Sequence, residues 1–174
     1  MARIAIPILG VFAHPRRIIQ IDERRLTYLD AKRAHILFAV GEAIVGSDFN
    51  QKAPDFVYIV DDYLAYQRRE SREALAQGLL ITENWVVSLV FARRPRGFSH
   101  LSIEDRRRVL ARLAVSDVQL LRNLYAAFVN ISASVFYSHQ ATWAEVGYDG
   151  VSVDHPELLA TPRWRPGDPR PVEP

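Results

Sequence analysis

Apolar residues recur at three- and four-residue intervals along most of this chain, the spacing that lines one face of a helix, and they predict an all-α protein. Leu29, Ile36, Leu37, Val40 and Ile44 form a first stripe, in a helix that Thr27 and Asp30 open as a capping box and that runs to about Val45. Residues 46–50 read as a loop. Phe56, Ile59, Val60, Tyr63 and Leu64 form a second stripe ending near Tyr66, with Pro54 in its first turn and Asp55 near its positive end. A third pattern starts at Ser71 and Glu73 and continues to Phe91 through Leu75, Leu79, Val86, Leu89 and Val90. Gly78, which costs about 1 kcal/mol against alanine in mid-helix, predicts a bend or a close helix contact there. Pro95 and Gly97 close that pattern. Ser102 and Asp105 cap a fourth helix over residues 103–114, with Val109, Leu110 and Leu113 inward.

The longest apolar pattern lies within residues 120–150, and the other helices are expected to pack around it. Ser116 or Asp117 would cap it, with Leu121, Leu124, Tyr125, Phe128, Ser132 and Val135 inward. The small residues Ser132, Ala133 and Ser134 would admit a close neighbour. Thr142 and Glu145 open a last short turn, stopped at Gly147. The expectation is a single helical domain of five or six helices over residues 26–150, without strands or internal repeats. It follows an N-terminal segment, 1–25, and precedes an extended proline-rich arm, 151–174. Pro156, Pro162, Pro166, Pro169, Pro171 and Pro174 exclude regular helix or sheet in the arm. Its apolar residues Val151, Val153, Leu158, Leu159 and Trp164, the last between Arg163 and Arg165, would cover either this domain or a partner.

Composition narrows the chemistry. At 174 residues one domain is natural, and a net charge of +2 is too small to mark a nucleic-acid binder. Lys32 and Lys52 are the only lysines among 22 basic residues, so the cationic surface is arginine, the better partner for carboxylates at protein contacts. The absence of cysteine excludes disulfides, thiolate-held zinc, iron–sulfur clusters and c-type haem within this chain, and leaves its compartment open. No stretch reaches the ~18 apolar residues of a membrane span. Residues 4–13 are apolar but broken by Pro7 and Gly10, and Arg16 and Arg17 follow rather than precede them. They read as a segment covering the core or a partner, not as an export signal.

No catalytic constellation emerges. His14, His35, His100, His139 and His155 are scattered without metal-ligand spacing. His139 lies between Tyr137 and Trp143, but a general base needs an orienting partner that the sequence does not reveal, so local hydrogen bonding is expected. There is no nucleophile elbow and no phosphate loop. The adjacent Asp61 and Asp62 read as a solvated face. Arg93, Arg94 and Arg96, with Arg106, Arg107, Arg108 and Arg112, read as a solvated face, a site for a carboxylate-rich protein, or a patch for nucleic acid or a membrane. Glu104 and Asp105 adjoin them, and the aromatic interleaving of a single-strand binder is missing.

Three blocks in order carry a resemblance: LTYLDAKRAHILFAVGEAIV with APDFVYIVDDYLAY, then FSHLSIEDRRRVLARL, then SVFYSHQATWAEVGYDG. Over residues 26–150 the chain resembles the subunit 3 family of gluconate 2-dehydrogenase, helical companions of flavin-dependent dehydrogenases of the glucose–methanol–choline type. Its most specific part holds Tyr137, Trp143, Gly147, Tyr148 and Gly150. The resemblance implies a non-catalytic subunit with no cofactor or metal of its own, in a hetero-oligomer whose large subunit carries FAD. Electrons leaving such a complex would pass through a separate haem or iron–sulfur protein. Family members often carry a twin-arginine signal, and this chain departs from them there. The complex would then stay in the cytoplasm or be exported with a signal-bearing large subunit. The expected partner contacts are Tyr137, His139, Trp143, Gly147, Tyr148 and Gly150, with Arg163, Trp164 and Arg165 of the arm and Arg94 and Arg96 as a second patch. The last aromatic block reads either as a docking corner or as a plug for the domain's own core. The alternatives are a helical enzyme built on Tyr137, His139 and Glu145, and a nucleic-acid regulator using the arginines.

Overall fold

The computed structural model describes residues 16, 18–46 and 48–148, with residue 145 as backbone only. Among these the chain is all-helical, with no strand. It runs α1 (Ala31–Val45), α2 (Phe49–Lys52), α3 (Phe56–Ala65), α4 (Arg69–Glu83), α5 (Trp85–Ala92), α6 (Ile103–Ala114) and α7 (Gln119–Ser138), with 3-10 turns at Glu23–Arg25, Phe98–His100 and Gln140–Val146. The single helical domain is as expected, with seven helices among the described residues where five or six were expected. The loop at 46–50 gives way to the one-turn α2, which brings Phe49 into the core, and the third apolar pattern divides into α4 and α5.

The central element is α1, not the helix within 120–150. Every residue from Ala34 to Gly41, and Ala43, is buried, so α1 is covered on all sides by α2, α3, α4, α6 and α7. In α7 only Phe128, Ser132 and Phe136 are buried, while Leu121, Leu124, Tyr125 and Val135 pack on the core from partial exposure. The reason is composition around the axis: from Ala34 onward α1 is apolar or small except at His35 and Glu42, whereas Arg122, Asn123 and Asn130 keep one side of α7 wet. Gly41 leaves room for the rings of Phe49 and Phe56 against α1. Phe49 then joins Phe38, Phe56 and Phe136 at centroid distances of 5.2, 4.7 and 6.1 Å.

Several local expectations are corrected by tertiary contacts. α1 is capped by Asp30, whose carboxylate accepts the Arg33 N–H at 2.7 Å, and not by Thr27. The backbone N–H groups of Thr27, Tyr28 and Leu29 instead converge on Asp61, at 2.5, 3.1 and 2.6 Å. Asp61 is therefore fully buried and no part of a solvated face; only Asp62 is exposed.

The α4–α5 bend falls at Asn84, not at Gly78, and measures 61°. Asn84 takes extended angles (φ −62°, ψ 128°), and its side chain accepts the Val86 N–H at 2.9 Å, recapping the new helix. Gly78 serves the other expected role, a close contact with Leu124 of α7. The new register turns Ser88 and Ala92 inward and leaves Val86, Leu89 and Val90, expected inside, exposed together with Trp85.

Glu83 fixes the elbow. Its carboxylate accepts the Ser99 N–H at 2.9 Å and the Ser99 hydroxyl at 2.8 Å, and Ser99 Oγ accepts the Arg16 N–H at 2.7 Å. Burial pushes the Glu83 pKa up, against the pull of the Ser99 donors, His100 and Arg106.

α6 matches its expected limits, with Ser102 Oγ accepting the Asp105 N–H at 3.2 Å. Its arginines do not form one patch. Arg106 is buried, paired with Glu42 at 2.6 Å and donating to the Ser99 carbonyl at 2.9 Å, while Arg107 donates to the Ala43 carbonyl at 3.0 Å. At α7 neither Ser116 nor Asp117 is the cap residue; Val118 is, and Ser116 Oγ accepts its N–H at 3.2 Å.

Candidate functional site: an aromatic corner after α7

α7 stops at Ser138, and His139 turns the chain out of the helix with extended angles. Thr142, expected to cap the next turn, is instead fully buried, its hydroxyl 2.7 Å from the His139 carbonyl and 3.2 Å from that of Phe136. This folds the turn Gln140–Val146 back against the end of α7. The Trp143 indole N–H donates to the Tyr137 carbonyl at 3.2 Å. Gly147, at φ 65°, takes the left-handed conformation that a side chain would oppose, and lets the Tyr148 N–H reach the Trp143 carbonyl at 3.0 Å. The rings of Trp143 and Tyr148 then meet edge to face at 5.0 Å, and Tyr137 packs likewise on Phe136 at 5.3 Å. Tyr137 and Tyr148 keep 48% and 43% of their surface exposed, so they are not a plug for the core; Trp143 is half-buried.

His139 locks this corner to the body of the protein. Its Nδ1 is 2.7 Å from the Val135 carbonyl and its Nε2 is 2.6 Å from Asp55 Oδ1. Both neighbours are acceptors, so only the doubly protonated imidazolium satisfies both contacts. Burial alone would lower the His139 pKa. The Asp55 hydrogen bond, the Val135 carbonyl and the Asp55 charge outweigh it and hold the pKa above its ordinary value. The hydrogen bond from His139 in turn holds Asp55 below the usual carboxylate range, with weaker help from His139 charge and Arg25. Asp55 stands at the N-terminus of α3 as expected, but spends its side chain on His139 and makes no capping bond.

No family model, curated protein or solved structure matches the chain. Chemistry at the corner therefore has to be read from its atoms. An Asp–His pair looks like a base and its orienting group, and here both ring nitrogens are engaged, Nδ1 with the Val135 carbonyl and Nε2 with Asp55. Among the described residues no group of three or more histidine, aspartate or glutamate side chains is placed to hold a metal ion. An apolar groove of about 470 Å³ between α4 and α7, bordered by Tyr63, Leu75, Leu120, Leu124 and Ile131, has no acid, histidine or lysine in its lining.

The corner brings together Tyr137, Trp143 and Tyr148 around the turn at Gly147, while the His139 ring faces Asp55 and the Val135 carbonyl. Gly150, Arg163, Trp164 and Arg165 lie outside the described residues, as does the Glu145 side chain. Arg94 and Arg96 stand in the loop between α5 and α6, where Arg94 pairs with Asp105 at 3.4 Å and Arg96 borders a hollow with Arg16, Gly97 and His100. Sequence reasoning missed Asp55 as the partner of His139. The two are 84 positions apart, and no spacing links them.

Proposed function

We propose that this chain is the non-catalytic small subunit of a flavin-dependent dehydrogenase or oxidase acting on a sugar, glycoside or alcohol. In this reading it docks on a large catalytic subunit through the aromatic corner. The observation that carries the reading is a pair of half-exposed tyrosines held around Trp143 on a braced backbone. Rigid aromatic side chains lose little entropy on binding and supply large contact area, which is why they dominate interface energetics. The same block carries the resemblance to the dehydrogenase small subunits. FAD and the substrate chemistry belong to the large subunit, and this chain stabilises that subunit or assists its maturation.

Co-expression with the large flavoprotein tests the reading. The two chains should co-purify, and the small chain should be more soluble with its partner than alone. Tyr137→Ala combined with Tyr148→Ala should weaken the complex by about tenfold to several hundredfold, as expected for hot-spot aromatics, while the melting temperature of the isolated chain hardly changes. A small chain that stays monomeric beside the flavoprotein, or that turns over substrate unaided, would refute the proposal.

A further inference from the structure

A second surface remains unexplained by the corner. α5, WVVSLVFA, carries no charge, yet Trp85, Val86, Leu89 and Val90 are 41–65% exposed. At positions i, i+1, i+4 and i+5 these four share one helical face. The chain after α5 doubles back beside it. The Arg94 N–H donates to the Ser88 carbonyl at 3.3 Å, and Gly97 lies so close to Glu83 that a Cβ there would overlap the carboxylate. Residues 93–97 therefore run from the end of α5 to the elbow and set the exposed Arg93, Arg94 and Arg96 along one flank. Arg16, tethered to the same elbow through Ser99, joins Arg96, Gly97 and His100 around a hollow of about 500 Å³. Of the acids near this flank, Glu83 is buried, Asp105 pairs with Arg94 and Arg108, and Glu104 is exposed in the first turn of α6. This leaves Arg93, Arg96 and Arg16 as the cations without a carboxylate partner among the described ion pairs.

We infer that α5 is a membrane-surface helix, its apolar face lying among the headgroups of an anionic bilayer and the flanking arginines on lipid phosphates. An uncharged, tryptophan-led face beside cations matches the boundary between headgroups and acyl chains, where tryptophan concentrates. Arginine suits phosphate better than lysine because its planar fork binds two oxygens and is weakly hydrated. A second copy of the chain would cover the apolar face but would bring no anion to the arginines beside it. Nucleic acid would have no use for the apolar face. No single described helix is long and apolar enough to cross a membrane. The bent α4–α5 pair has the composition, but α4 is held in the bundle by Leu75, Ala76, Gly78 and Leu79, so the contact is with the surface.

Vesicle co-sedimentation of the full chain tests this. The protein should pellet with vesicles of phosphatidylcholine mixed with phosphatidylglycerol, and roughly tenfold or more weakly with phosphatidylcholine alone. Val90→Glu, at the most exposed position of the face, and Arg94→Gln with Arg96→Gln should each reduce binding by about tenfold. Their circular dichroism melting curves should match the wild type. Tyr137→Ala with Tyr148→Ala should bind vesicles normally, because that corner is a separate surface. A chain that stays in the supernatant with both vesicles overturns the inference. So does vesicle binding that Val90→Glu leaves intact, or a complex in which another protein or a second copy covers α5.

Discussion

At the scale of single residues, Asp61 and His139 each join distant parts of the chain. Asp61 gathers three backbone N–H groups from residues 27–29 in a buried site, so removing its carboxylate strands donors where water cannot replace it. Asp61→Ala should therefore cost roughly 3–5 kcal/mol in urea unfolding, while Asp62→Ala, one position along on the exposed side, should change stability by less than about 0.5 kcal/mol. His139 acts with a different pH signature. Its folded pKa is raised, so its contribution is complete below the ordinary histidine value of about 6.5 and is lost as pH rises through the folded value. The Asp55 pKa is lowered, so its share is present above about 3.9 and is lost as pH falls through the depressed value. Arg25 is the other charge acting on Asp55. Thermal melts from about pH 6 to pH 9 should show a loss of stability that Asp55→Asn and His139→Gln both flatten. An NMR titration of the His139 ring should show the raised midpoint directly.

At the scale of elements, two glycines permit close approaches of opposite tolerance. A methyl group at Gly41 would meet the rings of Phe49 and Phe56, which are locked in the aromatic core, so Gly41→Ala should cost about 1–3 kcal/mol. At Gly78 the obstacle is the end of Leu124, which borders an open groove and has room to swing aside. There the gain of about 1 kcal/mol in helix propensity should offset the displacement and leave Gly78→Ala near neutral, and chemical denaturation of the pair should show the contrast. The same distinction between local and distant causes separates what the sequence revealed from what it concealed. The limits of α6 were legible because Ser102, Asp105 and the apolar stripe are neighbours in the chain. The bend at Asn84 was not, because it is fixed by Glu83 reaching Ser99, and the start of α1 was displaced by a carboxylate on α3. Once the helix broke, the register of α5 changed and its expected inner face became the outer one. The corner behaves likewise: Tyr137, Trp143, Gly147 and Tyr148 were readable within a dozen residues, whereas the brace from Asp55 belongs to the folded protein alone.

At the scale of the molecule, α1 is a shared core that no single neighbour can cover. α3, α4 and α6 each bury one side of it, and α7 closes the remainder with Phe128 and Phe136. A chain ending after Ala114 should consequently lose cooperative unfolding, seen as a broad, shallow circular dichroism melt in place of a sigmoid. Synthesis meets the same difficulty. α7 is completed about a hundred residues after α1 begins, roughly 5–20 s later at ordinary elongation rates. For that interval a helix built for a dry interior waits at the ribosome without its lid, which makes the nascent polypeptide a natural client for chaperones.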